Sequence, residues 1–109
     1  MAPPSERVLI TGSSGFTGRA IAQALEGRGY TVSGLSRGAG LPWEREAELT
    51  VGPAMDAAVR EIEPDVVVHL AGVASPVHGS VAEIYDANVT GTATLLTALR
   101  RLSRKPRLV

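Results

Sequence analysis

Three glycines, Gly12, Gly15 and Gly18, stand three residues apart within Thr11-Gly-Ser-Ser-Gly-Phe-Thr-Gly18. That spacing suits the backbone chemistry of phosphate binding. Gly12 permits a tight turn, Gly15 lets a pyrophosphate approach the main chain, and Gly18 lets a helix pack close to the strand before it. A helix opening there presents unbonded N–H groups and a partial positive charge. Ser13, Ser14 and Thr17 can add hydroxyl donors. A bare glycine turn would look similar in isolation. The apolar run before it and the helical pattern after it favour a dinucleotide phosphate site. No Gly-Lys-Ser/Thr follows, so this is not a Walker loop.

A second chemical position lies roughly 20 residues further on, where NAD-binding loops place an acid on the ribose 2′-hydroxyl. Here the chain reads Gly34-Leu-Ser-Arg-Gly38. Ser36 and Arg37 replace the acid. Serine donates a hydrogen bond, and arginine can grip a 2′-phosphate with two. NADP(H) is therefore expected over NAD(H).

The remaining reactive side chains are few. The chain has no Cys and 2 His, which excludes thiolate chemistry and disulfides and argues against a His-based metal site. His69 sits inside an apolar run and reads as a satisfied core residue. Ser75 and His78 fall in a loop where a substrate could pass, yet read as ordinary loop residues. Asn88 falls between Ile84 and Gly91 on the apolar stripe of a long helix. A buried amide there needs partners, so a tie to the neighbouring strand is expected.

The elements that must position these groups follow from periodicity. Residues 1–6 read as a disordered tail. Strands are expected over 7–11, 30–35, 48–51 and 65–71, with another starting at 107. Helices are expected over 19–26, 53–63 and 80–102. Pro53 suits a first helical turn, and Ser80-Val-Ala-Glu83 matches a capping box. Residues 36–47 and 72–79 read as loops. Lys and Arg at 100, 101, 104 and 105 complement the end of the last helix. Strands alternating with helices give an α/β, Rossmann-type, doubly wound parallel sheet.

Composition sets outer bounds. The chain has 109 residues, 44% hydrophobic and 20% charged, with net charge +0. That fits one ordinary globular domain, residues 7–109. A neutral chain is not a general binder of nucleic acid or membranes. No leader or spanning segment is visible, so a cytoplasmic location is expected.

Thr11-Gly-Ser-Ser-Gly-Phe-Thr-Gly18, Pro64-Asp-Val-Val-Val-His-Leu-Ala-Gly72 and Asn88-Val-Thr-Gly-Thr92 resemble, in this order, the extended short-chain dehydrogenase/reductases. These are the NAD(P)-dependent epimerase/dehydratase proteins, and the likeness runs over residues 7–109. It is nearest in flavour to the GDP-6-deoxymannose (4-keto) reductases. The resemblance implies pyrophosphate contacts at Gly12, Gly15, Phe16 and Gly18. It implies that Leu70, Ala71 and Gly72 pass beside the cofactor, and that Asn88 supports the active site. It also implies a nucleotide-sugar substrate and a homodimer.

The family's Tyr-x-x-x-Lys is missing. Tyr30 is followed at the fourth place by Gly34, and Tyr85 by Val89. The family's catalytic Ser/Thr comes after the fifth strand. Glu48 and Asp56 are the nearest acids for an adenine contact, and neither aligns well. The expectation is the N-terminal, NAD(P)-binding portion of a longer enzyme, cut near strand five, with strand four left as a sticky sheet edge. A non-catalytic NADP-binding module or an inactive fragment is the alternative.

Overall fold

The computed structural model describes residues 6–36, 40, 42–48, 50–71 and 80–109, leaving aside the side chain of Ala87. The expectations for Arg37, Gly72, Ser75, His78 and residues 1–5 lie outside the described residues. Strand β1 is Arg7–Thr11, β2 Thr31–Ser36, β3 Glu44–Glu46, β4 Val66–His69 and β5 Arg107–Leu108. Helix α1 is Phe16–Gly27, α2 Gly52–Ile62, α3 Val81–Tyr85 and α4 Gly91–Arg100, with a π-helical turn, Asp86–Thr90, between the last two.

The strands form one parallel sheet in the order β3-β2-β1-β4-β5. This is the Rossmann order of the expected fold. Apolar side chains alternate across it, because successive residues of a strand face opposite ways. Leu9, Leu35 and Val67 point to one layer, with Met55, Ala58 and Val59 of α2 and Leu95, Ala98 and Leu99 of α4. Val8, Ile10 and Val32 point to the other, with Ala22 of α1. Burial on both faces explains why β1 and β4 read as unbroken apolar runs.

Three expectations about the sheet and the N-terminal tail need correction. The third strand is Glu44–Glu46, within the expected loop, and not 48–51. Its pairing with β2 decides this: Gly34 N–H donates to the Trp43 carbonyl at 3.0 Å, and Ala47 N–H to Ser36 at 2.9 Å. A charged strand suits a sheet edge and carries no hydrophobic signal. Strand β4 is not an edge. Two residues of β5 cover it, in the register Val66↔Arg107 and Val67↔Leu108. Glu6, placed in the tail, is tied down, since its carbonyl accepts from Thr31 N–H at 3.1 Å.

The last helix is interrupted. Ser80 caps it as expected, its Oγ accepting from Glu83 N–H at 3.2 Å. The π turn then inserts an extra residue and changes the phase of the face. Buried positions begin at Gly91, while α3 has none. Val81, Tyr85 and Val89 are exposed. Asn88 is exposed too, and this overturns its placement on the buried stripe.

At the other end of the strands the arginines find acids. Arg7 meets Glu63, Arg101 meets Asp56 and Arg104 meets Asp65. Lys105 donates to the carbonyls of Arg100 and Leu102, at the end of α4. A cavity of about 390 Å³ lies among these groups, and its Arg7, Arg101 and Arg104 are matched in this way by carboxylates. Asp65 also accepts from Arg7 N–H at 2.7 Å. That bond, helped by Arg104, Arg7 and Arg107 against some burial, holds its carboxyl below the ordinary value of 3.8.

Candidate functional site

The C-terminal ends of β1, β2 and β4 converge on the glycine loop. Gly12 has φ +72°, a conformation that favours glycine. A Cβ there would come within 2.8–2.9 Å of the backbone of Leu70 and Ala71. The loop thus lies directly on the end of β4. Gly18 has the other task expected of it, since a Cβ would lie 2.7 Å from the Gly12 carbonyl. At Gly15 the space is open apart from that same carbonyl at 3.5 Å.

Helix α1 opens with no side-chain cap and no acid in its first turn. Its positive end is left for an outside anion. Ser14, Gly15, Phe16 and Thr17 are exposed around it, Phe16 most of all at 91%. At the end of β2, Ser36 is 8% exposed and its Oγ is buried without a hydrogen-bond partner. An open glycine, an uncapped helix start and an orphaned hydroxyl fit the phosphate and ribose groups of a dinucleotide.

Ser13 behaves differently from its two hydroxyl neighbours. It is fully buried, and its Oγ donates to a Glu44 carboxylate oxygen at 2.5 Å. The other Glu44 oxygen accepts from Gly40 N–H at 3.2 Å. This hydroxyl fastens the loop to β3 from behind. No periodicity could have marked Glu44, because its role comes from the β2–β3 pairing.

Leu70 is part-exposed at the end of β4, and Ala71 half-buried beside it. His69 is satisfied as expected, with Nδ1 2.6 Å from Thr11 Oγ1 and Nε2 2.8 Å from Thr92 Oγ1. Thr11 and Thr92 were not singled out in the sequence, although each lies within a motif. Burial pushes the His69 imidazole below its ordinary pKa of 6.5. Tyr85, on the exposed α3, has no Lys one turn on, and Tyr30 belongs to the turn before β2.

Residues 8–109 match the model of the NAD dependent epimerase/dehydratase family. The chain belongs to this family. A dTDP-4-dehydrorhamnose reductase of Streptomyces griseus is 40% identical over 68 residues, which is 62% of this chain and 20% of that protein. A crystal structure of a candidate epimerase from Burkholderia cenocepacia shares 38% identity at a TM-score of 0.81. It aligns with 94% of this chain and 35% of its own. UDP-glucose 4-epimerase of Thermus thermophilus, solved with NAD, shares 32% identity at a TM-score of 0.78. There the alignment covers 87% of this chain and 34% of the other. This chain spans about a third of the length of those two structures. No helix among the described residues is long and apolar enough to cross a membrane.

Proposed function

We propose that this chain is the dinucleotide-binding portion of an NAD(P)-dependent epimerase, dehydratase or reductase acting on a nucleotide sugar. The observation that carries the reading is the Gly12–Gly18 loop. It is bent back on β4 at a positive φ and opens onto an uncapped helix start. The Thermus neighbour, solved with NAD, and the Streptomyces reductase support the cofactor and substrate class.

The chain's own residues bind and orient. The backbone N–H groups of Ser14, Phe16 and Thr17, and the α1 dipole, hold the pyrophosphate. Gly12, Gly15, Phe16 and Gly18 contact it, and the open position at Gly15 gives it room. Ser36 and Arg37 hold the adenosine ribose and favour a 2′-phosphate, hence NADP(H). Leu70, Ala71 and Gly72 form the wall beside the cofactor. When bound, the nicotinamide would give or take a hydride at a sugar carbon. Asn88 supports the substrate side. Neither tyrosine has a lysine four residues on, so this chain alone is inactive in turnover. The working enzyme would be a cytoplasmic homodimer that binds neither nucleic acid nor membrane.

The alternative is a non-catalytic NADP-binding module or an inactive fragment. Titration with NADPH and NADH by calorimetry tests the binding reading. Saturable NADPH binding that disappears in Gly15→Val supports it, and failure of both nucleotides to bind rejects it. Turnover of a keto-sugar nucleotide by the native gene product separates enzyme from module.

A further inference from the structure

One directed chain of hydrogen bonds links the glycine loop, the end of β4 and the π-helical turn. Thr11 Oγ1 accepts from the Ala71 N–H at 3.1 Å and shares the Leu70 N–H, also at 3.1 Å, with the Thr11 carbonyl. It also lies 2.6 Å from His69 Nδ1. A hydroxyl has two lone pairs and one proton. The far end sets the direction: the Asn88 carbonyl only accepts, so Thr92 donates to it and takes the Nε2 proton as acceptor, which leaves Nδ1 to accept from the Thr11 hydroxyl. Nδ1 is then an acceptor, and the ring proton sits on Nε2. That N–H donates to Thr92 Oγ1 at 2.8 Å. Thr92 in turn donates to the Asn88 carbonyl at 2.7 Å. No link in this chain can be reversed without breaking another.

The three segments joined are those that shape the site. Gly12 follows Thr11 and rests on the backbone of Leu70 and Ala71. Asn88 belongs to a π turn, Asp86–Thr90. Such turns distort the regular ladder, and a threonine bonding back to the carbonyl four residues earlier bends a helix further. The half-buried imidazole between them spans the gap from strand to helix.

We infer that His69 is a positioning residue, which sets the register of the phosphate loop, the β4 end and the Asn88 turn as one unit and so couples dinucleotide binding to the placement of Asn88. The inference rests on the dinucleotide reading of the loop. His69 needs no contact with a ligand in this role. Thr92 lies on the far side of the ring from Thr11. Its hydroxyl reaches the loop through the imidazole, and this makes it the informative residue to change.

The test uses the whole chain, labelled for imidazole and amide nitrogen NMR, with NADPH as the probe. In the wild type His69 should show the Nε2–H tautomer alone. Thr92→Val should mix the tautomers and move the Leu70 and Ala71 amide signals. It should also weaken NADPH binding by roughly five- to tenfold, the size of an ordinary site-to-site coupling. Thr92→Ser should restore all three. Adding His69→Gln to Thr92→Val should cost little beyond either alone, since both break one chain. Unchanged tautomers and amides in Thr92→Val overturn the inference. So does a lowered melting temperature with unchanged NADPH affinity. If the wild type binds no dinucleotide, the functional reading fails. The tautomer and amide signals then still decide whether His69 sets the register.

Discussion

The Ser13 hydroxyl donates to the Glu44 carboxylate at 2.5 Å, across 31 residues of sequence. It joins the back of the phosphate loop to the edge strand β3. Gly34 makes the contact possible. A Cβ on Gly34 would lie 2.4 Å from Ser13 Oγ and 2.6 Å from the Trp43 ring. The glycine in β2 is thus explained by the serine that packs over it.

Gly34→Ala should therefore destabilise the chain by about 1–3 kcal/mol, the usual effect of overpacking. Gly27, the last residue of α1, is the control, because nothing lies within 4 Å of its Cβ position. Gly27→Ala should be neutral or stabilising by up to about 1 kcal/mol. Urea unfolding of both variants checks the contrast, and equal losses would refute the packing account.

Gly12 and Gly15 should fail in different ways. Gly12→Ala forces a side chain into a positive φ and onto the backbone of Ala71. It should lower stability and abolish dinucleotide binding together. Gly15→Ala has room to fold, with only the Gly12 carbonyl at 3.5 Å. Its melting temperature should hold while affinity falls, because the methyl group occupies the phosphate approach. A paired thermal melt and calorimetric titration distinguishes the two.

Arg37 carries the cofactor preference in the proposed function. Arg37→Ala should weaken NADPH binding by about 1–3 kcal/mol, the size of a charge-assisted contact. NADH binding should not change. An unaltered ratio of the two affinities would remove Arg37 from the site.

Acidification should act in two separate windows. His69 is held below 6.5 by burial. Its ring meets the hydroxyls of Thr11 and Thr92, and its neutral form is the one that fits. Below pH 6.5 the unfolded chain takes up a proton that the folded imidazole resists. Stability is therefore full above that pH and declines as pH falls towards the folded value. His69→Gln should flatten this decline, as read from urea midpoints between about pH 7.5 and 5.5.

Asp65 acts lower. Its carboxyl is depressed by the Arg7 N–H and by arginines. Its stabilisation is complete above 3.8 and is lost as pH drops through the folded value. Asp65→Asn should remove that second acid transition and leave the first in place. The same urea midpoints, extended below about pH 4, would show it.

The sequence by itself determined the sheet's core strands, the helices that cover it and the tight glycine turn between β1 and α1. Each has a local cause. Strands covered on both faces need an apolar centre, as Val8, Leu9 and Ile10 supply in β1 and Val66, Val67 and Val68 in β4. A backbone turned against a strand needs glycine, as at Gly12. The start of α3 is marked by its cap, Ser80. Such causes leave a pattern within a few residues.

Only the tertiary structure decided where β3 lies, which way Ser13 turns, that Asn88 is exposed and which protons His69 holds. Each depends on partners distant in the chain. The edge strand Glu44–Glu46 is fixed by its ladder to β2 and has no core face to reveal it. The direction of Ser13 depends on Glu44, and the tautomer of His69 on Thr11 and Thr92, 58 and 23 residues away. An extra residue in the π turn rotates Asn88 off the stripe that helical spacing assigns it. Periodicity records which face is buried. It does not record hydrogen bonds between groups that only the fold brings together.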